Sequence, residues 1–205
     1  MRLLTLEIES AFMIYIVVGC LSFLILHLFD FASLKRWPGY KPVIWLLGSG
    51  LLVYSLVMMS LRANQLPLPV WITWVGWILL VTSFLLLIFS LFVNLPFRKT
   101  YISTGVGEKL ITTGMYALVR HPWIHWFILA IIALIFVSRS SLLLIAAPIF
   151  ILLNIILVIF QDKFFFGRMF DGYESYRQDT PMLVPNRKSL NAFVVSMKQR
   201  LETKL

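Results

Sequence analysis

Two short clusters in this chain carry residue types that do chemistry. The first is Leu110-Ile111-Thr112-Thr113-Gly114-Met115-Tyr116, followed by Arg120-His121-Pro122. The second is Gln161-Asp162, followed by Tyr173-Glu174-Ser175-Tyr176, Thr180-Pro181 and Pro185. Both lie beside long uncharged runs, Ala63–Phe97 and Ser140–Gln161 among them. Titratable side chains next to hydrocarbon are costly to keep, so they usually serve a purpose. Pro122 suits the first turn of a helix, where its missing N–H loses nothing. Arg120 and His121 then stand at a helix N-terminus, where backbone donors converge. An acid, a histidine and the rings of Tyr116, Trp123, Trp126 and Tyr173 suit a cation, because a carboxylate takes an amine and aromatic faces take a sulfonium.

The elements that must position these groups are membrane helices. Hydrophobic residues make up 60% of the chain and charged residues 13%, with a mean hydropathy of +0.89. Crossing the hydrocarbon takes roughly 20 apolar residues. Five segments are expected to do so: Ala11–Leu28, Val43–Leu61, Val70–Val93, Pro122–Ser138 and Leu142–Phe160, the fourth being short with Arg139 to snorkel at its end. The expected fold is all-α, a polytopic bundle of five transmembrane helices with a C-terminal helical hairpin. Residues 1–69 read as a two-span scaffold, 70–186 as the core and 187–205 as a C-terminal amphipathic helix, within one structural domain.

With five spans, the loops 29–42 and 94–121 and the C-terminal tail share one face. Of the 18 Lys and Arg residues, all but Arg2, Arg62 and Arg139 fall there. That bias makes the face cytoplasmic and puts the N-terminus outside. The net charge of +9 is therefore a topology signal and an attraction to anionic lipid headgroups. It does not point to nucleic acid, since no soluble basic domain carries it. Cys20 stands alone, so an intrachain disulfide is excluded. No metal site is expected.

Trp71, Trp74 and Trp77 recur on one helix face and read as an aromatic belt. Pro148 is expected to kink the last span. On that span Asn154, Leu157 or Val158, and Gln161 or Asp162 share a face, a polar stripe leading to the cytoplasmic interface. Gly105, Gly107 and Gly114 allow tight turns in the 94–121 loop. Ser189 is a candidate N-cap for a basic amphipathic helix through Leu190, Phe193, Val194, Met197, Leu201 and Leu205. That helix fits equally a place on the membrane surface and packing against the protein's own loops. Arg120 fits equally a place in a site and plain cytoplasmic charge.

The ordered set Leu-x-Thr-x-Gly-x-Tyr, Arg-His-Pro, hairpin, acidic pair, Tyr-x-x-Tyr and closing prolines resembles the isoprenylcysteine carboxyl methyltransferase and phospholipid methyltransferase superfamily. The resemblance covers about residues 70–186. It implies methyl transfer from S-adenosylmethionine to a lipid or lipophilic acceptor at the cytoplasmic interface, with the cofactor in a cytoplasmic pocket. By position, Glu108, Lys109, Leu110, Ile111, Gly114, Tyr116, His121, Pro122, Trp123 and Ile124 would line that pocket, and Gln161 and Asp162 would stand where an acidic pair holds the cofactor. His121 and Arg120 are the implied catalytic residues, and Asn154, Trp126, Tyr173 and Tyr176 the implied substrate contacts. The chain departs from the pattern at Ile124, usually Tyr, and at Gln161, usually acidic. It departs again at Leu157, where the carboxyl methyltransferases place an Arg for their substrate's carboxylate. The implied alternatives are a membrane reductase-like protein using another nucleotide and a non-catalytic protein that kept the fold.

Overall fold

The computed structural model describes residues 2–37, 39–62, 65–103 and 106–202, with side chains for all of these except 2–12, 62, 99, 108, 109 and 201. Helices dominate. They are α1 (Arg2–Leu34), α2 (Lys41–Arg62), α3 (Val70–Ile88, continued as a π turn over Phe89–Val93), the short α4 (Met115–Leu118), α5 (Trp123–Ser138), α6 (Ser141–Phe160, continued as a π turn over Gln161–Phe165), the short α7 (Phe166–Met169), α8 (Tyr173–Asp179) and α9 (Arg187–Glu202).

Four stretches are long and apolar enough to cross a bilayer: Met13–Leu34, Lys41–Leu61, Val70–Val93 and Ser141–Met169. The fourth expected span, α5, has 16 residues. At 1.5 Å per residue it reaches about 24 Å, short of a hydrocarbon core of about 30 Å. The structure thus shows four helices long enough to cross and, at the place of the short expected span, one shorter apolar helix. The chain loses length there because Pro122 starts the helix and Arg139, at φ 56°, ends it in the left-handed conformation.

Close helix approach depends on small residues. A Cβ added at Gly76 would meet Phe136 and the backbone of Val137, so Gly76 lets α3 lie against α5. The α5–α6 hairpin turns at Ser140, whose Oγ accepts from Leu143 N–H at 3.1 Å and donates to Met59 O at 2.7 Å. One hydroxyl therefore caps α6 and ties the hairpin to α2. Phe150 of α6 is fully buried, its ring 5.9 Å from that of Phe23 on α1. The three tryptophans Trp71, Trp74 and Trp77 are exposed on α3.

Pro148 lies inside α6, which continues through it. At the C-terminus the cap differs from expectation. Asn186 Oδ1 accepts from Ser189 N–H at 2.8 Å and Ser189 Oγ accepts from Asn186 N–H at 3.0 Å. Asn186 is the cap and Ser189 its reciprocal partner, because only this exchange satisfies both orphan donors. The helix that follows packs on the protein: Ser196 Oγ accepts from Gly114 N–H at 2.7 Å, and Arg200 donates to Asn94 Oδ1 at 2.6 Å. Its other face leaves Leu190, Val194 and Val195 exposed. Of the two sequence readings of α9, packing against the protein's own loops is the one these contacts show. Leu201's side chain, Leu205 and Gly105 lie outside the described residues.

Candidate functional site

The two sequence clusters meet at the base of the hairpin. A two-residue parallel ladder pairs β1 (Glu108–Lys109) with β2 (Phe170–Asp171). Gly107 N–H donates to Met169 O at 2.8 Å, and the N–H groups of Arg120 and His121 donate to Pro181 O (3.0 Å) and Met182 O (3.3 Å). Gly114 makes the bend at φ 64°, and a Cβ there would run into the Asn94 side chain.

Asp162 is the hub of this junction. Its side chain is 3% exposed. Arg120 forks onto it, Nε to Oδ1 at 2.7 Å and Nη2 to Oδ2 at 3.0 Å. Tyr173 donates its hydroxyl to Oδ1 at 2.5 Å. Arg120 Nη1 also donates to the carbonyls of Arg177 (2.9 Å) and Thr180 (2.6 Å). Four of the five guanidinium N–H groups are therefore committed to protein acceptors. This corrects both sequence readings of Arg120: a buried side chain so engaged is neither a free catalytic group nor a solvated charge. It is a clamp holding the segment 162–180 against the Arg-His-Pro turn.

His121 is 1% exposed and stacks on Phe166, ring centroids 5.5 Å apart and 20° between planes. Its Nε2 is buried 3.5 Å from Asp162 Oδ1 and has no hydrogen-bond partner among the described residues. Burial lowers the imidazole pKa below its ordinary value, against the opposing pull of Asp162. Burial likewise raises the pKa of the Tyr116, Tyr173 and Tyr176 hydroxyls.

A cavity of about 510 Å³ opens beside these groups, in the size range of ligand pockets. Of the residues singled out from sequence, Leu110, Ile111, Tyr116, Arg120, His121, Trp123, Asn154, Gln161, Tyr173 and Tyr176 line it. Others do not, each for a local reason. Gly114 packs on Asn94 and Ser196. Pro122 is the residue before α5, and Ile124 is buried. Trp126 donates its Nε1–H to Ser90 Oγ at 3.0 Å. Asp162 stands behind the wall. The side chains of Glu108 and Lys109 lie outside the described part. The hydroxyls of Tyr173 and Tyr176 turn inward, the latter to Tyr116 O at 2.6 Å.

What the sequence reading missed comes from the two N-terminal helices. Asp30 of α1 is 2% exposed, lines the cavity and accepts from Gln161 Nε2 at 2.9 Å. Lys41 and Trp45 of α2 line the same end, and Lys41 Nζ donates to Ser103 O at 2.8 Å. These helices wall the site as well as scaffold it. The sequence carries a signal for it, an acid just beyond the apolar run that ends at Leu28. An outer cleft of about 690 Å³, lined by Gly107, Thr112, Asp171 and Asp179, shares Leu110 and Tyr176 with the cavity. These two side chains stand between the inner cavity and the loop surface. Among the described residues no group of His, Cys, Asp and Glu could hold a metal ion.

With this geometry in hand, comparison with known proteins places the chain in a family. The model of a family described as "Protein of unknown function (DUF1295)" matches residues 41–163, more than half the chain. The chain belongs to this family. That assignment agrees with the isoprenylcysteine and phospholipid methyltransferase-like superfamily to which the motifs point. The chain is also similar to methanethiol S-methyltransferase 2 of Bradyrhizobium diazoefficiens, 28% identical over 173 residues, covering 75% of this chain and 65% of the relative's length. No solved structure matches.

Proposed function

We propose that this protein is a membrane methyltransferase moving a methyl group from S-adenosylmethionine to a lipophilic acceptor that arrives from the bilayer. One observation carries the reading: the 510 Å³ cavity has a polar, aromatic end at the joined loops and an apolar body between the spans. The likeness to a protein named as a methanethiol S-methyltransferase supports it.

The residues present fit a sulfonium-bearing donor. His121 brings an imidazole in the cavity wall, Asp30 brings a carboxylate and Gln161 an amide. The rings of Tyr116, Trp123, Phe166 and Tyr173 supply aromatic surface. A carboxylate suits an ammonium, and aromatic faces suit a sulfonium. When bound, the donor supplies an electrophilic methyl group on positively charged sulfur. The chain's part is alignment of two reactants. Arg120 and Asp162 hold the two loop segments together around the cavity. His121, kept neutral by burial and set in the cavity wall, is the group that would take the proton of a thiol or amine acceptor.

The acceptor reading follows from Leu157, buried at the wall where a carboxylate acceptor would need a cation. A thiol, amine or neutral head suits the site better. In the bilayer all five apolar helices cross or nearly cross, with the N-terminus outside and the loop 94–121 and the tail on the cytoplasmic side, as the charge bias requires.

The test is binding and turnover in detergent or nanodiscs. S-adenosylhomocysteine should raise the melting temperature, His121→Ala and Gln161→Leu should shrink that shift, and NADPH should give none. A medium-chain alkanethiol should be methylated faster than a farnesyl-cysteine analogue. A full-sized shift in both variants would take these residues out of the site. A shift with NADPH alone would favour a reductase-like protein instead.

A further inference from the structure

Asn154 has no structural reason to be where it is. It sits in the middle of α6, 1% exposed, among the buried apolar residues Phe150, Leu157 and Val158. Its Oδ1 is buried and accepts no hydrogen bond from any described residue. Within a bilayer no water compensates such a group, so an orphaned carboxamide there is disfavoured. A leucine would pack as well without that penalty. Yet Asn154 is at the wall of the cavity.

Its position along the helix is informative. Asn154 and Gln161 are seven residues apart, close to two full turns, so they share a face. The rise between them is about 10 Å. Gln161 belongs to the polar end, where it is held by Asp30. Asn154 is about 10 Å further into the apolar body, whose neighbouring walls are Phe127, Ile131 and Leu134 of α5 and Leu157 of α6. The cavity wall therefore holds a second polar side chain, isolated in hydrocarbon, whose acceptor oxygen no described residue occupies.

We propose that Asn154 is the anchor of a ligand subsite for an apolar molecule with a single neutral X–H head, a hydroxyl or thiol on a hydrocarbon body. Such a ligand places its donor on Asn154 Oδ1 and its body against the leucines and aromatic rings. A carboxylate or phosphate head is disfavoured at Asn154, because α6 has no charged residue between Ser141 and Phe160 and the cavity's cations, Lys41 and Arg120, are already engaged with protein acceptors at its polar end. The inference deepens the methyl-transfer reading by naming the acceptor class, and it rests on that reading for what happens to the ligand after it binds.

The experiment measures ligand binding without methyl donor. The full chain is placed in nanodiscs, and melting curves are recorded against increasing mole fractions of 1-octanol and of octyl methyl ether, which has the same oxygen but no donor. The wild type should respond to the alcohol at roughly three- to tenfold lower mole fraction than to the ether, the size of one hydrogen bond inside a membrane protein. Asn154→Leu should abolish the difference while responding to the ether as the wild type does, which also shows that the variant is folded. Without ligand, Asn154→Leu should melt no lower than the wild type, since it removes an unpaired buried polar group. An equal response to alcohol and ether in the wild type would overturn the subsite. So would a lower melting temperature for the ligand-free Asn154→Leu protein, which would mean that the amide has a structural partner. The outcome is independent of S-adenosylhomocysteine binding: alcohol preference without it would keep the subsite and remove the methyl-transfer reading.

Discussion

Separating the Arg120–Asp162 pair should be among the most damaging single changes outside the helical core. Both side chains are nearly buried, 7% and 3% exposed. Removing one partner strands the other's charge, which for a buried pair costs roughly 3–5 kcal/mol. Two features pull Arg120→Met toward the lower end: the carboxylate keeps the Tyr173 hydroxyl, and Arg177 Nε waits 3.7 Å away on a half-exposed side chain. Asp162→Leu leaves Arg120 charged on two carbonyls and orphans the Tyr173 hydroxyl, so it belongs near the upper end. In a chain of this size such losses lower the melting temperature by roughly 6–20 °C. The double variant Arg120→Met/Asp162→Leu buries no charge, and its destabilisation should fall short of the sum of the singles by about 2 kcal/mol or more, as expected for directly paired groups. Titration with SDS in bicelles, with unfolding followed by tryptophan fluorescence, gives the three values. Single variants each costing under about 1 kcal/mol, or strict additivity, would refute the clamp.

Three further outcomes follow from the same geometry. Because burial holds the His121 pKa below its unfolded value of about 6.5, the unfolded chain binds more protons between those two values; stability should therefore fall as pH drops below about 6.5, and His121→Asn should flatten that part of the melting profile. Tyr173→Phe removes the hydroxyl from Asp162 Oδ1 and should cost about 1–3 kcal/mol by the same SDS titration, with spectrophotometric titration of the wild type showing this phenol still protonated above its ordinary pKa of about 10. Gly114→Ala should destabilise more than Gly172→Ala, since both residues have positive φ but only Gly114 has a side chain in the way of a Cβ; equal melting temperatures would refute the close approach of Asn94.

Much of this protein is legible in its amino-acid order alone. Runs of apolar residues bounded by Glu, Lys, Arg and Asp place the spans, because a bilayer admits only helices or closed barrels and helix length must match its thickness. The order of Arg120-His121-Pro122, Gln161-Asp162 and Tyr173-x-x-Tyr176 marks the loops that meet, because a hairpin returns the chain to the side it left. What sequence could not decide is which groups face one another. Arg120 and Asp162 look like two members of a reactive set, but only packing reveals that they neutralise each other, with His121 Nε2 left 3.5 Å from the shared carboxylate. Asp30 looks like the end of a span, yet α1 lies where its carboxylate takes the Gln161 amide, across 131 positions of chain. Asn154 is visibly polar in sequence; that no described residue donates to it depends on every neighbour. Local patterns report periodicity and burial, properties of one segment and its solvent. Pairing of buried polar groups is set by long-range packing, and the site is made of such pairs and of the groups left without one.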